Sequence, residues 1–275
     1  MTRSMRRNER IRVLLAAAFA LASCRFPLRA DMCEDIRGAL AKRAPAVTLH
    51  AGAVQIDLMR IPPGEFAMGS PVDEDGHAPN EEPVRRVRIS KAFYLSRFEI
   101  TRGQYRAVMG EAPRGAGVDT LPVSQIPYAD AREFARRLSG IANVEVRLPT
   151  EAQWEYACRA GSRTRYYSGS SEADLGRVAW YSENSKEKAH PVGQKQPNAW
   201  GLYDMHGNVW EYCADFIDDY ATMTSTDPVG RVSPRHGAMR GGGWMHGPEE
   251  CRAATRMISD DMFGGAGFRI ALSAD

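Results

Sequence analysis

The chain of 275 residues is 43% hydrophobic and 25% charged, a balance that excludes a disordered or fibrous protein. No run of about 18 apolar residues occurs, which excludes a multi-span helical membrane protein. Its 25 glycines and 16 prolines, above the usual share of about 12%, favour a loop-rich fold over a helical bundle.

The formal charge of +2 misleads. Arg3, Arg6, Arg7, Arg10 and Arg12 stand against Glu9 at the start of the chain. Beyond residue 23 the chain is mildly acidic, and it lacks the electrostatic footprint of a nucleic-acid binder. The basic start runs into an apolar stretch from Val13 to Ala22, too short to span a bilayer and right for the core of a signal peptide. Leu21, Ala22, Ser23 and Cys24 then resemble a bacterial lipobox, in which the cysteine is lipidated. Residues 1–23 therefore read as a lipoprotein-type signal peptide, with Ala30–Asp31 the junction if the leader is an ordinary cleaved one. The expected location is the periplasm or the outer membrane, with a lipid anchor on Cys24 as the sole membrane contact. With Cys24 lipidated, Cys33, Cys158, Cys213 and Cys251 are left, an even number suited to an oxidising compartment. No Cys-x-x-Cys occurs, which argues against a zinc ribbon.

Residues 24–52 read as a tether with a short helix near 33–43. Residues 53–272 read as one domain, since nothing inside them looks like a linker. Alternation from Val54 to Ile61 predicts a strand. Pro62, Pro63 and Gly64 predict a turn, and Glu65 to Gly69 a second strand that returns as a hairpin. Asp73, Glu74, Asp75 and Gly76 look like a calcium loop, but Val84 stands where an EF-hand needs its bidentate glutamate, so they read as an acidic surface turn. Val87 to Leu95 predicts another strand, and Thr101 caps a helix over residues 103–109. Ala131, Phe134, Ala135 and Leu138 fall at helical spacing between Tyr128 and a stop at Gly140. Thr150 and Gln153 form a capping box that opens a helix ending near Cys158. Beyond Gly161 regular structure nearly stops until the region of Arg240. Such a stretch holds its shape only by packing loops on aromatics or wrapping them around ions.

Several phrases follow in fixed order: Phe66 to Ser70 (FAMGS), Arg147 to Tyr156 (RLPTEAQWEY), Pro197 to Met205 (PNAWGLYDM), Gly207 to Glu211 (GNVWE), and Arg240 to Trp244 (RGGGW) leading to Gly267, Phe268 and Arg269. Together they resemble the formylglycine-generating enzyme family, also called sulfatase-modifying factors, over residues 53–272. The resemblance implies an α+β fold of the C-type-lectin-like kind, loop-rich, with short twisted sheets.

It also implies a site. The family enzyme is a copper-dependent oxidase that holds copper(I) on a pair of cysteines, soft ligands for a soft ion, and oxidises a substrate cysteine. Here the matching positions are His246 and Cys251, with Gly243 in place of the preceding serine. One thiolate is missing, so copper is not expected, although imidazole with thiolate is a chemically possible pair. His246 and Cys251 are thus the candidate catalytic residues. Trp244, His246, Glu249, Glu250 and Arg252 would line the substrate cleft. Arg252, Arg256 and Arg269 either hold an anionic ligand or brace loop carbonyls and carboxylates. Calcium is the expected ion, on family positions that correspond to Asp204, Gly207, Val209 and Glu211, since a hard ion takes carboxylate and carbonyl oxygens. Family members without the catalytic pair commonly carry cysteines at the positions of Cys213 and Cys251, which implies a disulfide between them. Cys158 would then be free and buried, or paired with Cys33.

The resulting expectation is an exported family protein, a divergent oxidoreductase or maturation factor acting on a periplasmic or cell-envelope protein or peptide-like substrate, with no nucleic-acid partner. Family precedent includes a pyoverdine-maturing enzyme that does not depend on the cysteine pair. Two alternatives stay open: a non-catalytic lectin-like binding module on a lipoprotein, and formylglycine formation on sulfatases.

Overall fold

In β2 (Val54–Ile61), Val54, Ile56 and Leu58 turn to the core while Gln55 and Asp57 face solvent, the period of a half-buried strand. The computed structural model describes residues 36–274 apart from 39, 112, 114, 116, 234 and 260–265. The leader, Cys24 and Cys33 lie outside the described residues.

β2 pairs with β1 (Ala46–Ala51) on one edge and β5 (Phe93–Ser96) on the other. All four residues of β5 are buried. Beyond it come β11 (Ala271–Ser273) and β6 (Val146–Arg147), giving an antiparallel sheet in the order β1-β2-β5-β11-β6. A second sheet runs β10 (Gly267–Phe268), β7 (Glu211–Tyr212), β8 (Ala238–Arg240), β9 (Met257–Ile258), with β10 and β7 parallel.

Local signals place the helices. Thr101 and Gln104 exchange the bonds of a capping box at the start of α1 (Arg102–Met109), and Gly110 ends it in the left-handed region. In α2 (Tyr128–Ala142), Ala131, Phe134, Ala135 and Leu138 are buried, with Phe134 edge-on to Phe268 at 5.1 Å. Thr150 and Gln153 box the start of α3 (Glu151–Arg159), which buries Trp154, Ala157 and Cys158 completely.

Five expectations need correction. β3 (Gly64–Met68) does not return on β2, whose free edge β5 has taken, and pairs instead with β4 (Arg85–Ile89). The strand expected from Val87 to Leu95 is two strands, because Asp227 takes the Ser90 N–H at 2.8 Å and its hydroxyl as well, bending the chain there. α2 passes through Gly140, which faces open space, and stops at Asn143 with φ 53°. The segment read as a tether contributes β1 to the sheet and buries Ile36, so the folded unit begins before residue 53. Finally, α4 (Glu172–Val178), boxed by Ser171 and Asp174, lies in the stretch expected to be irregular.

Buried charge joins these parts. Arg240 of β8 pairs with Glu151 (3.0 Å) and Glu155 (2.6 Å) of α3, and all three are fully buried. Arg256 forks onto Glu151 at 2.6 and 2.5 Å. Arg269 forks onto Glu211 with two bonds of 2.6 Å. Removing one member of such a pair strands the other, at a cost of about 3–5 kcal/mol. Arg269→Leu is expected to lower the unfolding free energy by about that amount in a urea titration. A loss below about 1 kcal/mol, the scale of an exposed ion pair, would show that the fork does not hold the fold.

Candidate functional site

Asn208 organises the loops around the site. It adopts φ 58°, a left-handed conformation that asparagine tolerates better than most residues. Its backbone N–H donates to the Trp180 carbonyl (2.7 Å), and its carbonyl accepts from the Trp244 N–H (2.8 Å). Its side chain accepts from His190 N (2.9 Å) and donates to Glu99 Oε2 (2.7 Å). Gly207 beside it must be glycine, since a Cβ would fall 2.2 Å from the Trp180 carbonyl oxygen.

These loops frame a cleft of about 140 Å³ walled by Trp210, Trp244, Met245, His246, Ser124 and Gln125. Trp210 donates its indole N–H to His246 Nε2 at 3.2 Å. The acceptor lone pair on Nε2 is therefore engaged, and burial lowers the pKa of the ring. Cys251 is not a wall of the cleft. It is fully buried, and a Cβ on Gly242 would lie 2.7 Å from its sulfur. Burial pushes its thiol far above the usual range. His206 fixes the backbone there, with Nδ1 donating to the Cys251 carbonyl (2.7 Å) and Nε2 accepting from Tyr167 N (3.1 Å). Burial drives its pKa down to about 3, so the ring is neutral. Copper(I) needs exposed soft donors. This site offers a covered thiol and an imidazole nitrogen already bonded to indole, so the residues do not fit copper.

Of the other expected cleft residues, Trp244 is in place, while Glu249, Glu250 and Arg252 are not walls. Arg252 is committed to Glu81 (2.6 and 2.8 Å) and Glu74 (2.9 Å), the bracing role rather than the anion-binding one. Arg256 and Arg269 brace in the same way.

Behind the cleft, Glu99, Asp204 and Glu211 are all buried and face one buried guanidinium, Arg269. Glu99 is raised well above the carboxylate range by burial and then by Asp204 and Glu211. Burial likewise pushes Asp204 up to about 6. Asp204 Oδ2 accepts from Gly193 N at 2.7 Å, but its enclosed Oδ1 has no hydrogen-bond partner among the described residues. Glu211 is heavily engaged, by Arg269 on both oxygens and by Trp154 Nε1 at 2.7 Å. Among the described residues no three His, Cys, Asp or Glu side chains converge as a metal cluster. The donor set therefore fits a hard cation only with backbone carbonyls completing the shell, as calcium accepts and softer metals do not.

A family model, the sulfatase-modifying factor enzyme 1-like domain, matches residues 50–274. The chain belongs to the sulfatase-modifying factor family. The formylglycine-generating enzyme of Streptomyces coelicolor is 29% identical over 86% of this chain and 95% of its own. The chaperone protein LppX of Paenibacillus barcinonensis is 29% identical over 56% of this chain and 69% of its own. The solved structure of PvdO from Pseudomonas aeruginosa superposes with a TM-score of 0.74 at 28% identity, covering 83% of this chain and 98% of that one.

Within this family frame, sequence reasoning missed Trp210 as the partner of His246, Asn208 as the hub, and Glu99. The first two stand inside the GNVWE phrase, and that phrase was the available signal. Glu99 had none beyond being a lone acid after a buried strand. The implied Cys213–Cys251 disulfide is also corrected. Both are free thiols in separate hydrophobic clusters, Cys213 under β8 and Cys251 beside Tyr166 and Tyr181. Cys158 is a free buried thiol as well. Burial raises all three pKa values, and a protonated, enclosed thiol is unreactive. In the folded protein Cys158, Cys213 and Cys251 are expected to resist Ellman's reagent and to react together on denaturation. Recovery of a Cys213–Cys251 peptide in a non-reducing map would contradict this.

Proposed function

We propose that this sulfatase-modifying-factor protein is a cell-envelope maturation factor that recognises a protein or peptide segment in the Trp210–Trp244–His246 cleft without running the family's copper oxidation. One observation carries the reading: the Trp210 indole N–H occupies His246 Nε2 while Cys251 is sealed beneath Gly242. The cleft that is left has aromatic and thioether walls with a few polar groups, the composition of a site that receives one side chain and fixes its orientation. The basic, apolar leader and Cys24 support an envelope location, and the likeness to a protein named a chaperone supports a maturation role.

The expected result with a Cys-x-Pro-x-Arg peptide, copper and reductant is no formylglycine. His246→Cys is expected to stay inactive too, because Cys251 is covered. Robust aldehyde formation by the unmodified protein would overturn the proposal and make formylglycine formation the function.

Calcium belongs to the same proposal as a structural ion. Asp204 would hold it, with the carbonyls of Gly207 and Val209 and the one remaining lone pair of Glu211, on Oε1, and its charge would offset the buried carboxylates. Binding to the native state alone stabilises it, by about 2.7 kcal/mol at a hundredfold excess over Kd. The melting temperature is expected to rise with calcium, to fall in EGTA, and to lose both responses in Asp204→Ala. A melting curve indifferent to calcium and EGTA would remove the ion.

A further inference from the structure

Away from the cleft, and sharing none of its lining residues, lies a larger groove of about 630 Å³ bordered by β3, β4, the end of α3 and Trp200. Its size is that of a small-ligand site, about 300–1,000 Å³. The floor is aromatic. Phe66 lies 5.3 Å from Tyr156, and Trp200 meets the same ring edge-on at 4.9 Å. Tyr156 is fixed by donating its hydroxyl to the Pro62 carbonyl at 3.1 Å. Gly64 keeps the space beside it open, since a Cβ there would stand 2.4 Å from that hydroxyl oxygen.

The rim is polar and net positive. Arg86 bonds Glu65 through Nε at 2.6 Å while its side chain stays 80% exposed. Arg85 is held by the carbonyls of Tyr220 and Thr224, which fixes its charge in the wall. Arg163 is exposed on the rim and has no ion-pair or hydrogen-bond partner among the described residues. Ser162 also lines the groove, and its enclosed hydroxyl has no partner among the described residues.

We propose that this groove binds an acidic saccharide, an oligomer of pyranose rings carrying carboxylates. The aliphatic face of a pyranose packs on aromatic rings. Its hydroxyls, at once donors and acceptors, match a carboxylate and a guanidinium set side by side, as Glu65 and Arg86 are. The surplus of arginine selects an acidic sugar, with Arg163 placed to fork onto its carboxylate. An acidic peptide suits the groove less well, because it brings no hydroxyl donors to Glu65 and leaves the aromatic floor unused.

Calorimetric titration of the purified chain with trigalacturonate and 3′-sialyllactose tests the proposal, with maltotriose and hexaglutamate as competitors of different chemistry. At least one acidic saccharide is expected to bind. Trp200→Ala and Arg163→Gln should each weaken it about tenfold, the scale of one lost stacking contact or charged hydrogen bond. Arg136→Gln, on the exposed face of α2, controls for general loss of positive charge and should bind as the parent does. Melting curves confirm that each variant is folded, and Arg163→Gln carries the test if Trp200→Ala is not. The proposal is overturned if neither acidic saccharide binds, if maltotriose binds equally well, if hexaglutamate is preferred, or if Arg163→Gln changes nothing.

Discussion

The fork of Arg269 onto Glu211 is the constraint on which the rest of the molecule hangs. Arg269 lies between β10 and β11, so one side chain serves two sheets. Its guanidinium reaches the Ser96 carbonyl in β5 (3.0 Å), the Tyr203 carbonyl (3.1 Å) and both oxygens of Glu211 in β7. Trp154 adds α3 by donating to Glu211 Oε2. Sheet, sheet, helix and loop thus meet at one charged pair. Arginine suits that position because its planar fork has enough donors to satisfy several acceptors at once.

The same device recurs where regular structure is scarce. Loops cannot satisfy their backbone groups through a ladder, and a buried group left without a partner costs stability. Here buried arginines and Asn208 supply the missing donors. Arg240 bonds the carbonyls of Ala253 and Thr255 at 3.0 Å each, and Arg159 bonds that of Gly69 at 2.9 Å. Satisfied polar networks of this kind hold one arrangement against many alternatives. The cleft inherits its shape from them, since Trp244 and Trp180 are both tied to Asn208.

What was legible in the amino-acid order was what is local. The spacing of Ala131, Phe134, Ala135 and Leu138, and the Thr150–Gln153 box, are read within a few residues, and both helices formed. The ordered phrases likewise carried the family and its α+β fold. What misled was decided at long range. The break between β4 and β5 is imposed by Asp227, 137 positions from Ser90. Glu99 reaches Asn208 across 109 positions, and no pattern around it announced that contact. At the cleft the residue types of His246 and Cys251 were plain, yet their chemistry turned on Trp210 and on burial.

The position of β11 has a consequence for how the molecule is made. This strand, the last of the described elements in chain order, sits between β5 and β6 in the interior of the main sheet. Leu272 pairs with Tyr94, and Ala271 pairs with both Leu95 and Arg147. Until residues 271–273 are in place, β5 and β6 cannot be joined, and each presents an unpaired edge. Closure waits for the last strand, and contacts of such sequence separation form slowly. During that interval the chain is vulnerable to pairing with its neighbours.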